Sequence, residues 1–229
     1  MAFADDGFAL LPGIDPSECA AILERLQDMP RDGSRGGLRH VLNVPQVAEL
    51  IQHPAIRNPI ETILGSKAFA FKATYFEKSP ESNWFVGWHQ DIVIPVAEQI
   101  DAPGFSHWTE KSGVLHTQPP REVLEAIVAV RVNLDASTPE NGALEVLPQT
   151  HHSGILQAEQ FADFIREIRP VQCLTPVGGL VLMRPLLLHA SSRMIQPTSR
   201  RVLHFEFAAR DLPYGLQWQR RIPLLRDGS

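Results

Sequence analysis

Two hydrophobic periods divide the chain. In "DPSECAAILERLQDM", from Asp15 to Met29, the apolar positions Ile22, Leu23, Leu26 and Met29 fall at helical spacing and make one face. Asp15 suits the cap, Pro16 the first turn, and Glu18 completes a capping box. The loop "PRDGSRGGLRH" breaks this helix. A second helical region is expected over Val44 to Leu50 and Ala55 to Leu64, with Gly65 placed to stop it. From Phe69 onward the segments "FAFKATYF", "WFVGWHQDIVI", "AIVAVRVNLD", "GALEVLP", "GLVLMRPLLLH" and "RVLHFEFAA" read as strands bounded by Pro, Gly and Asn turn signals.

Strands in this number after a helical start predict an α+β, mainly β fold, a β-sandwich or jelly roll with the N-terminal helices packed on one outer face. The 229 residues, 44% of them apolar, are ample for one closed core, and no repeat or boundary divides them. One domain is therefore expected, helical over about 15–65, with its β core over about 69–208. The interval from Pro95 to Pro120 is too long and too rich in Pro and Gly for a simple hairpin, and a lid-like insert over about 95–120 is expected there.

Charge and cysteine content narrow the class. The 21 basic and 26 acidic residues form no run of either sign, which argues against a nucleic-acid or membrane-surface partner. Nor does a phosphate-binding glycine loop or a dense basic patch demand a CoA thioester. Asp5 and Asp6 stand where a secretory signal would carry positive charge, and no apolar stretch approaches the roughly eighteen residues of a membrane span, so a cytoplasmic location is expected. Cys19 and Cys173 lack CxxC spacing and read as reduced bystanders.

The chemistry gathers where the strands end. In "WHQD", positions i and i+2 of a strand share a face, so His89 and Asp91 can present an imidazole nitrogen and a carboxylate oxygen to one point. Alone, this pair reads more readily as a buried histidine satisfied by a neighbouring acid. His189 closes another apolar run, and Arg200 stands eleven residues further on at the start of the next strand. Two histidines and one carboxylate on one face form the triad that suits Fe(II) in oxygenases, with open positions for a bidentate 2-oxo acid and O2. A guanidinium such as that of Arg200 can grip a carboxylate through two parallel charge-assisted hydrogen bonds. If Arg200, Val202 and His204 face the interior of the roll, then Arg201, Leu203, Phe205 and Phe207 face the helices; a slip of one residue would exchange the two arginines.

These residues, with "NGALEVLPQTHHSG" at Asn141 to Gly154 and Ser191 two positions after His189, resemble the phytanoyl-CoA dioxygenase-like branch of the Fe(II)/2-oxoglutarate-dependent oxygenases. The resemblance spans about Gly7 to Phe207 and departs at Gln149, where the family signature has a turn glycine. It implies a double-stranded β-helix, a cupin-like jelly roll whose open end holds iron. It further implies His89, Asp91 and His189 as metal ligands and catalytic residues, Arg200 and Ser191 at the distal carboxylate of 2-oxoglutarate, and Lys72 as a further cosubstrate contact. The activity implied is hydroxylation of a small organic metabolite with release of succinate and CO2. Asp91 fits that outcome, since halogenating relatives replace the carboxylate with a small residue. Two alternatives stay open: a metal-dependent jelly-roll enzyme that does not use 2-oxoglutarate, and a non-catalytic small-molecule-binding jelly roll.

In "AIVAVRVNLD", Val128, Val130, Val132 and Leu134 make the apolar face. Arg131 and Asn133 lie on the other, where they suit contact with substrate or the keto acid or, for Arg131, an ion pair with an acid such as Glu206 or Asp135. His116 and Trp108, in the insert, are candidates for touching substrate, the alternative being a loop packed on itself. His40, His53 and His107 read as surface residues, His151 and His152 as hydrogen-bonded structural ones, and Asn141-Gly142 as a turn.

Overall fold

A computed structural model describes residues 3–27, 29 and 37–224; the start of the expected loop, Pro30 to Gly36, lies outside the described residues. Helices α1 (Phe3–Asp6), α2 (Pro16–Gln27), α3 (Pro45–Leu50) and α4 (Pro54–Leu64) alternate with short strands β1 (Phe8–Leu11) and β2 (Gly37–Leu38). Then come β3 (Phe69–Lys78), β4 (Val86–His89), β5 (Ile94–Pro95), β6 (Ser106–Lys111), β7 (Val114–Gln118), helix α5 (Arg121–Glu125), β8 (Val128–Asn133) and β9 (Leu144–Val146). Helix α6 (Ala158–Glu167) precedes β10 (Val171–Gln172), β11 (Leu180–Met183), β12 (His189–Ser191), β13 (Arg200–Ala208) and β14 (Ile222–Pro223).

Strands β1-β11-β8-β13-β3-β14, with β2 added on β3, form a seven-stranded sheet; β10-β9-β12-β4 form a second and β5-β7-β6 a third. The two larger sheets face one another: Phe8, Ala129, Val181 and Met183 from the first pack with Leu144 and Val146 from the second. This is the expected jelly roll, with α2, α3 and α4 against the outer face of the seven-stranded sheet. Alternation decides which side chains go where. Val128, Val130, Val132, Leu203, Phe205 and Phe207 join Leu23, Leu26, Ile56 and Ile60 of the helices in one apolar cluster. Full burial of each such side chain is worth about 1.5–3 kcal/mol, enough to set the register of β8 and β13. Their alternate positions must then point into the roll.

The capping signals act as expected. The Asp15 carboxylate accepts from the Ser17 amide (2.8 Å), and Glu18 reaches back to the Asp15 amide (3.1 Å). His53 caps α4 by accepting from the Ala55 amide, and Gly65 ends that helix with a φ of 83°.

Three elements depart from the expectation. The segment expected as one strand from Trp84 to Ile94 is two, because β4 ends at His89 and the chain re-enters a different sheet at Ile94. The insert is a hairpin after all: Ser112 and Gly113, at φ 51° and 74°, make a two-residue turn between β6 and β7, and β7 also pairs with β5. Helices cover both larger sheets, since Phe161 and Phe164 of α6 pack with Trp88, Leu147 and Leu188. No helix among the described residues is long and apolar enough to cross a membrane.

Candidate metal centre

His89 is the last residue of β4 and His189 the first of β12, and the two stand directly opposite in the antiparallel ladder. Their rings lie 4.1 Å apart between centroids. Asp91, just beyond β4, is tied by its amide to the Pro185 carbonyl (2.8 Å). Its carboxylate comes within 3.6 Å of His189 Nε2 and 3.9 Å of His89 Nε2. One donor atom from each residue lies within 4.8 Å of the others, close enough to hold a metal ion together.

The imidazoles are set for that task. His89 Nδ1 bonds to the Gly87 carbonyl (2.8 Å) and His189 Nδ1 to the Leu187 carbonyl (2.9 Å), in each case two residues back. A carbonyl only accepts, so Nδ1 carries the proton and Nε2 is left with its lone pair towards Asp91. Between the ligands, buried Gln90 donates to the Gly154 and Leu186 carbonyls and accepts from the Leu156 amide, pinning the loop in which Asp91 sits. Burial would raise the Asp91 carboxyl, but the three imidazoles of His189, His204 and His89 and the Lys72 ammonium outweigh it and hold the group below its ordinary range. Burial presses His189 down to about 4, keeping it neutral and ligand-ready.

The inward face of β13 completes the site. Arg200 is buried and lines the same cavity as the triad, while Arg201 turns away and pairs bidentately with Asp135 (2.7 and 2.8 Å). The buried Nε of Arg200 has no hydrogen-bond partner among the described residues. Burial, reinforced by the charge of Arg131, pushes its guanidinium down to about 9. Ser191 lines the cavity beside it and donates to the Gly142 carbonyl (2.8 Å). Gly142 is more than a turn residue: at φ 72° a Cβ there would stand 2.4 Å from the Ser192 carbonyl oxygen.

Lys78, which the sequence reading did not single out, stands opposite Arg200 across β3 and β13 and is wholly buried. Its ammonium donates to Ser191 Oγ (2.7 Å), to the Ser191 carbonyl (3.2 Å) and to the Ser192 carbonyl. Burial first, then the charges of Arg200 and Arg131, push it down to about 7. The signal that could have found it is the alternation of β3, which places Lys72, Thr74, Phe76 and Lys78 on one face. His204 faces the cavity, as the alternation of β13 predicts. Its Nε2 lies 3.8 Å from Asp91 Oδ2, and its Nδ1 accepts from Arg131 (3.4 Å).

The remaining candidates divide. Lys72 lines the cavity but is paired with Glu206 (2.6 Å), whose charge holds its ammonium above its ordinary value despite burial. Arg131 lines the cavity too. Neither acid considered for it is its partner, because Glu206 takes Lys72 and Asp135 takes Arg201; it lies instead over the Phe76 ring (5.7 Å) and beside His204. Asn133 spends its amide on the Gly179 carbonyl (3.1 Å) and does not line the cavity. Trp108 packs into the apolar cluster of Phe69, Phe71 and Ile94 and does not line the cavity. His116 lines a neighbouring recess. Of the other histidines, His107 is exposed, His40 and His53 are half-buried, and His151 and His152 bond to the carbonyls of Ala4 and Asp5. Cys19 and Cys173 are free and buried.

An antiparallel jelly roll with a His-Asp-His group at the junction of two strands, facing a cavity that also holds a buried arginine, defines the class: a β-roll protein with a group able to hold a metal ion beside a buried cation. The chain belongs to the phytanoyl-CoA dioxygenase (PhyH) family, whose model matches residues 3–202. Among curated protein sequences none matches significantly. Several solved structures share the fold. EctD from S. alaskensis in its apoform is 18% identical with a TM-score of 0.71, over 97% of this chain and 84% of that one. HygX from Streptomyces hygroscopicus, with nickel and 2-oxoglutarate bound, is 15% identical with a TM-score of 0.64, over 92% and 88%. SnoN, a non-haem α-ketoglutarate-dependent epimerase from nogalamycin biosynthesis, is 18% identical with a TM-score of 0.65, over 98% and 93%.

Proposed function

We propose that this chain is, over its whole length, one Fe(II)- and 2-oxoglutarate-dependent oxygenase domain that hydroxylates a small organic molecule. One observation carries the reading: the cavity that presents His89, Asp91 and His189 is also lined by Arg200, a buried guanidinium whose Nε has no hydrogen-bond partner among the described residues. A buried cation without its full set of partners costs several kcal/mol, and a ligand carboxylate supplies what is missing. The residues present thus fit both groups, borderline nitrogen and hard oxygen donors for iron and a guanidinium for the far end of a dicarboxylate. EctD has also been solved with iron and with 2-oxoglutarate and 5-hydroxyectoine, which supports the same assignment here.

Bound together, ferrous iron and 2-oxoglutarate supply activation of O2 coupled to release of succinate and CO2. The chain's own residues do the rest. Nδ1 hydrogen bonds keep both imidazoles oriented, and Gln90 holds the Asp91 loop in register with them. Arg200 receives the distal carboxylate, Ser191 borders it, and Lys78 fixes Ser191 from behind. Arg131 and His204 form the floor beside Asp91, and Trp84, Phe76 and Leu144 provide apolar wall that limits water. Retention of the Asp91 carboxylate favours oxygen transfer over halogenation.

The test is aerobic incubation with Fe(II) and 2-oxoglutarate, reading succinate by mass spectrometry. Slow succinate release by the wild type that is abolished in Asp91→Ala and His189→Ala is expected. Equal, background-level succinate in all three proteins, with iron shown to be bound to the wild type, would defeat the reading.

A further inference from the structure

The metal cavity holds a second arginine whose charge the proposed mechanism leaves without a task. Arg131 lies on the inward face of β8, opposite His204 in the ladder, lines the cavity and is only 7% exposed. It makes no ion pair among the described residues, since Glu206 takes Lys72 and Asp135 takes Arg201. The Asp91 carboxylate sits among the imidazoles of His89, His189 and His204; its charge is felt at Arg131 without a contact, and burial outweighs it, lowering the guanidinium below its ordinary value. Of the five N–H donors on that group, one is used, on His204 Nδ1 (3.4 Å), and the group lies over the Phe76 ring (5.7 Å). No nitrogen of Arg131 is sealed away without a partner as Arg200 Nε is, so the remaining donors open onto the cavity.

Position separates the two arginines. His204, which accepts from Arg131 at Nδ1, has Nε2 3.8 Å from Asp91 Oδ2, so Arg131 is level with the triad. Arg200 stands two inward positions earlier on β13, ~13 Å along the strand at roughly 3.3 Å per residue. Charge balance then decides what Arg131 awaits. A divalent metal ion on Asp91 leaves one positive charge, Arg200 and Arg131 add one each, and Lys72 and Glu206 cancel. 2-Oxoglutarate brings two negative charges, met by the metal at its keto-acid end and by Arg200 at the other. One buried cation is left over at Arg131, and an uncompensated buried charge is costly. Lys78, pressed down to about 7, adds to the surplus when protonated and never relieves it. Phe76, Trp84 and Leu144 line the same cavity and offer apolar surface beside that charge.

We propose that Arg131 receives a carboxylate of the substrate, which is therefore an organic acid whose apolar body lies against Phe76, Trp84 and Leu144 within reach of the triad. The word substrate rests on the oxygenase reading; the carboxylate site at Arg131 does not.

The experiment titrates acetate, butyrate and phenylacetate, each beside its uncharged amide, into the Zn(II)-loaded protein saturated with 2-oxoglutarate, by ligand-observed NMR. Zinc keeps the centre diamagnetic, and the cosubstrate occupies Arg200. At least one acid is expected to bind saturably, with its amide about tenfold weaker or not bound. Arg131→Gln should abolish that preference, and Arg131→Lys, which keeps the charge but loses the planar fork, should reduce it severalfold. 2-Oxoglutarate itself should weaken far less in Arg131→Gln than in Arg200→Ala. Acids that bind no better than their amides, or a preference unchanged in the Arg131 variants, as for an acid held by zinc alone, would overturn the proposal. So would a loss of 2-oxoglutarate in Arg131→Gln as deep as in Arg200→Ala, which would make the second carboxylate that of the cosubstrate. If Arg131→Gln does not fold, Arg131→Lys decides by the same criteria. Should 2-oxoglutarate fail to bind the wild type, an acid preference of the zinc-loaded protein that survives in Arg200→Ala and is reduced in Arg131→Lys still reads Arg131, so the two failures are told apart.

Discussion

Arg200 and Arg201 are chemical twins one peptide apart, and strand alternation gives them opposite tasks. Arg201→Ala removes a part-exposed ion pair with Asp135 and is expected to lower stability by no more than about 1 kcal/mol, with 2-oxoglutarate binding unchanged. Arg200→Ala is expected to weaken 2-oxoglutarate on the order of 100-fold through loss of two charge-assisted bonds, by calorimetry on the metal-loaded protein. Lys78 yields a pH signature. Its folded value of about 7 lies below its ordinary 10.5, so across that window the unfolded chain binds a proton that the folded chain has lost. The penalty is complete below the window and is lifted as pH rises through it. Urea denaturation of the ligand-free protein should therefore show stability rising between pH 7 and 10 by at most about 1.4 kcal/mol per unit, and Lys78→Met should flatten that slope. A slope unchanged in the variant would assign the effect elsewhere. At this scale the triad was legible because its ligands sit in a short motif and at strand ends. Lys78 and His204 were less so, because their importance comes from which residue stands opposite them across the ladder, as Arg200 does for Lys78 and Arg131 for His204.

Among elements, length governed what could be read. Strands β3, β8 and β13 carry several alternations each, and helices α2 and α4 carry caps as well as a face, so pattern and structure agree. Strands β2, β5, β10 and β14 have two residues each, too few to show any period. Helix α6 is a different case: Phe161, Phe164 and Ile168 recur at helical spacing, a signal present but given no element. The hairpin was hidden by its Pro-Gly approach, although Ser112-Gly113 is itself a turn signal. Strand β2 offers a test of how much a two-residue element matters. Gly37→Ala cannot keep the present approach to Tyr75, and a loss of about 2 kcal/mol is expected in denaturation. A variant as stable as the wild type would show that β2 does not depend on that close contact.

For the molecule as a whole, the seven-stranded sheet carries the helices on one face and Arg200, Arg131 and His204 on the other, opposite the four-stranded sheet that bears His89 and His189, so the core that stabilises the fold also fixes the register of the residues that complete the site. A slip of β13 by one residue would bury Arg200, His204 and Glu206 in the helix interface and expose Phe205 and Phe207 to the cavity, which the apolar cluster forbids. The roll was legible for that reason. The central claim is that one cavity joins a metal triad to a carboxylate clamp at Arg200. Its most direct test is anaerobic reconstitution with Fe(II) and 2-oxoglutarate, watching for the visible charge-transfer band of the chelate in the wild type, Arg200→Ala and Arg201→Ala. The band should form in the wild type and Arg201→Ala and be lost or greatly weakened in Arg200→Ala; an iron-loaded wild type without the band, or a band equally strong in Arg200→Ala, would contradict the account.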